Sequence, residues 1–236
     1  MTIAAGGRSI PVLLRRSARA RRISLRLGQK GDAFVLTLPE RGRETDAIHF
    51  AERHRGWMHT RLQRLPEQVA FAPGETVPFR GVPHRLDASG GLRGLVRAAL
   101  ESGGEPVIRV PGSPEHFARK LTDFLKAEAR RDLTRAAAAY CAALNVDERR
   151  IALRDPATRW GSCSTSGTLS FSWRLIMAPS DVLDYLAAHE VAHIVHMNHG
   201  TEFWRLLERI CPHTDAAERW LKKHGRSLHA YGPQKA

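Results

Sequence analysis

The segment Tyr185–Trp204, YLAAHEVAHIVHMNHGTEFW, sets four histidines and two glutamates, Glu190 and Glu202, in a largely apolar run. It constrains this chain more than any other stretch. Ser180 is the expected N-cap of a helix here, and Asp181 falls in its first turn, where a negative charge suits the helix dipole. On that helix His189 and His193 are four residues apart, so both project from one face about 5–6 Å apart at Cβ. Two imidazoles so placed can converge on one ion. Glu190 is turned about 100° from His189, so it flanks the ion instead of joining the ligands. The pattern is H-E-x-x-H, two zinc ligands and a carboxylate that takes a proton from water. Leu183, Leu186, Ala187, Ala188, Val191, Ala192, Ile194 and Val195 make the rest of the helix apolar, as a buried central helix requires. Unpartnered imidazoles and a carboxylate would cost several kcal/mol there, and a metal ion removes that cost.

A catalytic zinc takes three protein ligands and keeps one position for water. His196 and His199 compete for the third place. His196 stays on the same face if the helix continues, but one ion would then serve three successive side chains of one helix. His199 lies beyond a break marked by Asn198 and Gly200, where the chain can turn back. The break favours His199 and leaves His196 at the rim.

The remainder of the chain reads as α+β. Between Ile10 and Pro111, alternating runs such as RISLRL, AFVLTL, ETVPFRGVPHRL and PVIRV are punctuated by glycine and proline, as in antiparallel strands and hairpins. One helix interrupts them, with Ile48, Ala51, Trp57, Met58, Leu62 and Leu65 broadly on one side, ending before Pro66. After VPGSPEHF a long helix begins, with Ser113 as N-cap and Pro114 at its first position, running to about Leu144. RIALRD and a hairpin turning at TSG follow, and after the histidine-bearing helix come two more, from Thr201 to Ile210 and through TDAAERWLKK. The expected organisation is a β-rich domain over 1–112 and a second domain over 113–236.

Composition narrows the setting. No apolar run approaches the roughly 20 residues of a membrane span, and the expected location is the cytoplasm. Cys141, Cys163 and Cys211 are widely spaced and are expected as buried, reduced thiols. Net charge is +13, with seven arginines among the first 31 residues and no acid before Asp32. Such density attracts polyanions, so nucleic acid or a nucleotide is an expected partner. Strand alternation would put Arg15, Arg19 and Arg21 on one face and Arg16, Arg22 and Arg26 on the other, one row steering an anion toward the metal site.

RWGSCS, LSFSWRLIMAP, YLAAHEVAHIVHMNHGTEFW and the upstream RRSARARRISLRL and VLTLP together resemble the YgjP-like metal-dependent hydrolase family, which is related to the SprT-like and WLM zinc proteases. The resemblance covers most of the chain. It implies a zincin-type fold in the C-terminal half, one zinc per chain held by His189, His193 and His199, and Glu190 as catalytic base. Ser172 stands where family members often carry another small or polar residue, without mechanistic weight. In a zincin-like arrangement the hairpin RWGSCSTSGTLSFSW supplies a strand across the metal helix, whose free edge can pair with an extended substrate. Trp160 and Trp173 would pack it on the helix, while Arg159 and Arg174 are candidates for binding substrate or stabilising an anionic transition state.

The expected function is therefore a zinc-dependent, metallopeptidase-like hydrolase acting on a polypeptide. Two alternatives use the same residues: a nucleotide phosphohydrolase of the pyrophosphatase kind, and a DNA-binding module whose metal is structural. Ligand number separates the last from the others, since a structural zinc is enclosed by four protein ligands. Other divalent ions can substitute where availability decides.

Overall fold

The computed structural model describes residues 2–5, 8–28, 33–63, 67–90, 94–156 and 158–232. The chain forms two compact units, Met1–Glu67 and Gln68–Ala236. The architecture is α+β.

In the first unit, β1 (Thr2–Ala5), β2 (Arg8–Ser17), β4 (Phe34–Pro39) and β3 (Ser24–Leu27) lie side by side in that order. Phe34, Leu36 and Leu38 alternate along β4 and are fully buried. This most apolar strand takes an interior position, so β2 pairs with it in parallel and β3 closes the edge antiparallel. The expected succession of antiparallel hairpins is broken there. β2 ends at Ser17, so Arg19, Arg21 and Arg22 lie in the connection to β3 and the expected two-row alternation is not formed. The single helix expected after β4 is two, α1 (Glu44–Arg53) and α2 (Arg55–Gln63). His54 leaves helical geometry at φ −101°, ψ 15°, and its Nδ1 lies 2.7 Å from the Phe50 carbonyl. The break turns Trp57 outward to 45% exposure, while Ala47, Ala51 and Met58 fill the core. Leu65 and Pro66 fall outside the described residues.

In the second unit, β5 (Thr76–Phe79), β6 (Val82–Ala88), β8 (Pro106–Val110) and β7 (Arg97–Leu100) form one sheet in that order. A short 3-10 turn, Pro114–His116, leads into the long α3 (Phe117–Ala143). Ser113 is extended as an N-cap must be, but its side chain makes no capping bond. A second sheet has the order β10 (Gly161–Cys163), β11 (Leu169–Ser172), β9 (Ile151–Arg154), which leaves β10 at an edge. β10 and β11 are the expected hairpin, closed by the Ser164 N–H donating to the Thr168 carbonyl. The helices α4 (Ser180–Val195), α5 (Thr201–Ile210) and α6 (Thr214–His224) follow. α4 starts one residue earlier than its sequence signals, with Pro179 at the cap position and Ser180 already helical. Among the described residues no helix is long and apolar enough to cross a membrane.

The boundary expected after residue 112 lies within this second unit, because both sheets share one core. Val77, Phe79, Leu86 and Ile108 pack in the same cluster as Leu121, Leu125 and Leu133 of α3 and Val191 of α4. The tip of the β5–β6 hairpin explains the attachment. Arg80 and Gly81 both have positive φ, 50° and 79°, the left-handed pair that a two-residue hairpin turn needs. A Cβ on Gly81 would stand 2.8 Å from Pro179 Cα, at the start of α4. The Arg80 backbone N–H donates to the Ile176 carbonyl (2.7 Å), and its guanidinium bonds Asp132 (2.7 and 3.1 Å) and Glu128 (2.7 Å) on α3.

Candidate metal centre

The apolar positions of α4 bury it, and that burial presents His189, Glu190 and His193 to one region. The helix ends where His196 turns extended, at φ −129°, ψ 101°. Its N–H makes a last helical bond to the Ala192 carbonyl (2.9 Å), and its own carbonyl accepts from His193 Nδ1 (3.0 Å). That bond places the proton on Nδ1 and leaves Nε2 as a lone-pair donor, the usual way a second partner orients a metal-binding imidazole. His196 thus contributes its backbone, and its ring is not part of the cluster. The chain then turns back to bring His199 Nε2 to 3.1 Å from His189 Nε2. The ligand atoms of His189, His193 and His199 all lie within 4.8 Å of one another. Two zinc–nitrogen bonds at tetrahedral angle span about 3.3–3.4 Å, so the separation is close to that of ligands on one ion.

Phe203 is the floor of the cluster. It is fully buried on α5, stacked on His193 at 4.6 Å and edge-on to His189 and His199 at 5.0 and 4.8 Å. Sequence reading did not single it out; the available signal was an aromatic four residues after His199 on the next helix. Tyr185 is buried, with its hydroxyl 3.5 Å from His189 Nδ1, a long contact on the other side of that ring.

Glu190 is 4% exposed, and its Oε2 has no hydrogen-bond partner. Burial pushes its pKa up to about 8, against the pull of the Arg159 charge and of the Cys163 backbone N–H, which donates to the carboxylate. β10 runs so close that a Cβ on Gly161 would stand 2.8 Å from Glu190 Cδ and closer still to Oε1. With the carboxylate in this position only glycine fits there. Gly161→Ala is expected to displace the carboxylate and lower kcat about 10- to 100-fold, the cost of a misplacement of order 1 Å. Bound metal should be unchanged, and an unaltered kcat would show that β10 yields instead.

The same groups predict how the metal-stripped protein responds to pH. The unfolded chain releases the Glu190 proton near 4.5 and the folded chain near 8, so stability falls as pH rises between them. His189 acts oppositely: burial and the neighbouring histidines lower it from 6.5 to about 4, so its contribution rises with pH up to 6.5. Burial lowers His193 and His229 as well, so below pH 6.5 the rising histidine contributions oppose the Glu190 slope. Above it only the Glu190 slope remains, about 1.4 kcal/mol per pH unit. Urea denaturation of chelator-treated protein should show a net loss of about 1 kcal/mol from pH 6.5 to 8, since the Glu190 slope flattens as pH reaches its folded pKa. In Glu190→Gln that loss should vanish.

Three converging imidazoles, on a helix that also carries a buried carboxylate oxygen without a hydrogen-bond partner, fit a divalent ion of the zinc kind. Residues 21–224 match the family profile described as YgjP-like, metallopeptidase domain. The chain belongs to the YgjP-like metallopeptidase family. A YgjP-like metallopeptidase is a metal-dependent hydrolase, and the family implies a catalytic metal. No curated protein matches the chain in sequence. Among solved structures, the metallopeptidase zymogen jannalysin of Methanocaldococcus jannaschii is similar at TM-score 0.35 and 20% identity, over 39% of this chain and 94% of that one. The metallopeptidase zymogen abylysin of Pyrococcus abyssi is similar at TM-score 0.32 and 19% identity, over 44% of this chain and 95% of that one.

The two arginines expected near substrate in this YgjP-like domain have different settings. Arg174 donates through Nε to Asp155 Oδ1 (2.7 Å), through Nη2 to Asp155 Oδ2 (3.3 Å), and through Nη1 to the carbonyls of Leu228 (3.0 Å) and Tyr231. It also lies over the Trp173 ring. Two of its nitrogens thus hold Asp155 and the third holds the C-terminal segment. Arg159 is exposed and lines a cleft of about 500 Å³ with Trp160, Gly161 and Ser162. Trp173 is in the core, while Trp160 stacks on His229 at 5.0 Å, packing β10 toward the C-terminal segment.

Proposed function

We propose that this metal-dependent hydrolase is a zinc peptidase, with the ion held by His189, His193 and His199 and Glu190 as general base. The observation that carries the reading is the convergence of three imidazoles at the helix that also buries the unpartnered Oε2 of Glu190. Zinc, when bound there, polarises the scissile carbonyl and lowers the pKa of water. Glu190 accepts the proton of the attacking water on its free oxygen and returns it to the leaving amine. The Cys163 N–H and the absent side chain of Gly161 hold the carboxylate in place for both transfers. His199, exposed, leaves the solvent side open for substrate, unlike an enclosed structural zinc.

The edge position of β10 supports a polypeptide substrate over a nucleotide, since an extended backbone can add to that edge next to Glu190. Arg159 would then meet a developing negative charge at the cleft. Three unpaired thiols fit a reducing compartment, and with it a cytoplasmic location. The deciding experiment is a substrate panel of unfolded proteins, with and without DNA, and nucleoside triphosphates, run with parent and Glu190→Gln. Peptide-bond cleavage confined to the parent supports the reading. Triphosphate hydrolysis that alone depends on Glu190 would make the protein a phosphohydrolase.

An anionic partner is a separate proposal resting on the first unit. Arg15, Arg19, Arg21, Arg22 and Arg26 are exposed, and among the described residues no carboxylate pairs with them. Arg16 differs, bonded to the carbonyls of Glu40 and Gly42 and to Glu44. DNA affinity should fall steeply with salt, and the slope should become shallower in an Arg15, Arg19, Arg21 triple alanine variant. Equal slopes would leave these arginines as a solvated surface.

A further inference from the structure

Asp184, Cys211 and His213 form a second group of metal-ligating side chains, with their ligand atoms within 4.8 Å of one another. Asp184 lies on α4, five residues before His189; Cys211 ends α5, and His213 precedes α6. His213 Nε2 is 3.2 Å from Asp184 Oδ2 and 3.4 Å from Cys211 Sγ. As a hydrogen-bonding atom that nitrogen can donate to the carboxylate or accept from the thiol, not both. As one corner of a coordination tetrahedron it serves both neighbours. At ordinary zinc bond lengths the nitrogen–oxygen and nitrogen–sulfur edges are about 3.4 and 3.5 Å.

The surroundings are those of a supported site. The Tyr140 hydroxyl donates to Asp184 Oδ2, the kind of outer partner that orients a ligating carboxylate. Cys211 is fully buried, while the side chains of Asp184 and His213 are about one-third exposed. Both of the latter line a cavity of about 450 Å³ with Arg80, Asp132 and Arg135. An ion can therefore enter, and a water has room to complete the shell. The positive charges at the cavity are matched, since Arg80 pairs with Asp132 and Glu128 and Arg135 with Asp132.

We propose that Asp184, Cys211 and His213 bind a second divalent ion, and that the mixed thiolate, imidazole and carboxylate set selects zinc over magnesium or calcium. On loading, the ion replaces the thiol proton, which leaves to solvent. Cys211 then acts as a ligand, not the inert buried thiol that its spacing indicated, and the chain holds two ions. The second ion ties the end of α5 to α4, the elements on either side of His199. The inference does not depend on the reading of the histidine cluster.

The test uses the full chain carrying His193→Ala and His199→Ala, which disables the histidine cluster. Loaded with cobalt(II), this protein should show an intense thiolate-to-metal charge-transfer absorption, and with zinc it should retain about one equivalent after dialysis. Cys211→Ser should abolish the band and the retained zinc. His213→Gln, at a partly exposed position, should weaken zinc binding at least about tenfold, and it decides the matter if circular dichroism shows Cys211→Ser to be unfolded. Absence of the charge-transfer band, or zinc retention unaffected by His213→Gln, would overturn the proposal and leave a hydrogen-bonded network.

Discussion

Glu190→Gln is expected to keep its zinc and to lose at least about 100-fold in kcat, the low end of what general-base catalysis supplies. Glutamine has the shape of the carboxylate and its amide oxygen can still accept the Cys163 N–H, so the packing against Gly161 survives. What it lacks is a site for the proton. The buried position sharpens the contrast, because a neutral amide is tolerated there better than a charge. Activity within tenfold of the parent would mean that another group activates the water.

His193→Ala should release one equivalent of zinc per chain and reduce hydrolysis to background. The change removes one of three converging nitrogens and the ring that rests on Phe203. Two imidazoles remain, one of them on an exposed segment, too few for a protein zinc site that usually has three ligands or more. Metal analysis after dialysis reads the result directly. Unchanged zinc content would remove the histidine cluster as the metal centre.

The parts of this site that were legible in the sequence are those governed by helical period. His189, Glu190 and His193 are fixed relative to one another by 100° per residue, so their geometry follows once α4 is recognised. His199 was accessible because Asn198 and Gly200 mark a break. The fit of Glu190 against Gly161 was not, because it joins residues 29 apart through an edge strand whose register no local pattern specifies. Arg159 and Arg174 illustrate the same limit. They are identical in type and in hairpin context, and only the carbonyls of Leu228 and Tyr231, far along the chain, make Arg174 a clamp. The domain boundary failed to show for a related reason. Alternation identifies β5 and β6 as strands, but which core their apolar face joins depends on the Arg80–Gly81 tip meeting α3 and the start of α4.

The three histidines also differ in what carries them. His189 and His193 ride on a buried helix, whereas His199 sits in the exposed stretch between α4 and α5. A metal held this way has a defined order of departure: the exposed ligand lets go first, leaving the ion on two rigid ones and open to a competing chelator. Its lifetime is therefore set by how often one short segment swings out, so that exchange can be fast even where equilibrium binding is tight.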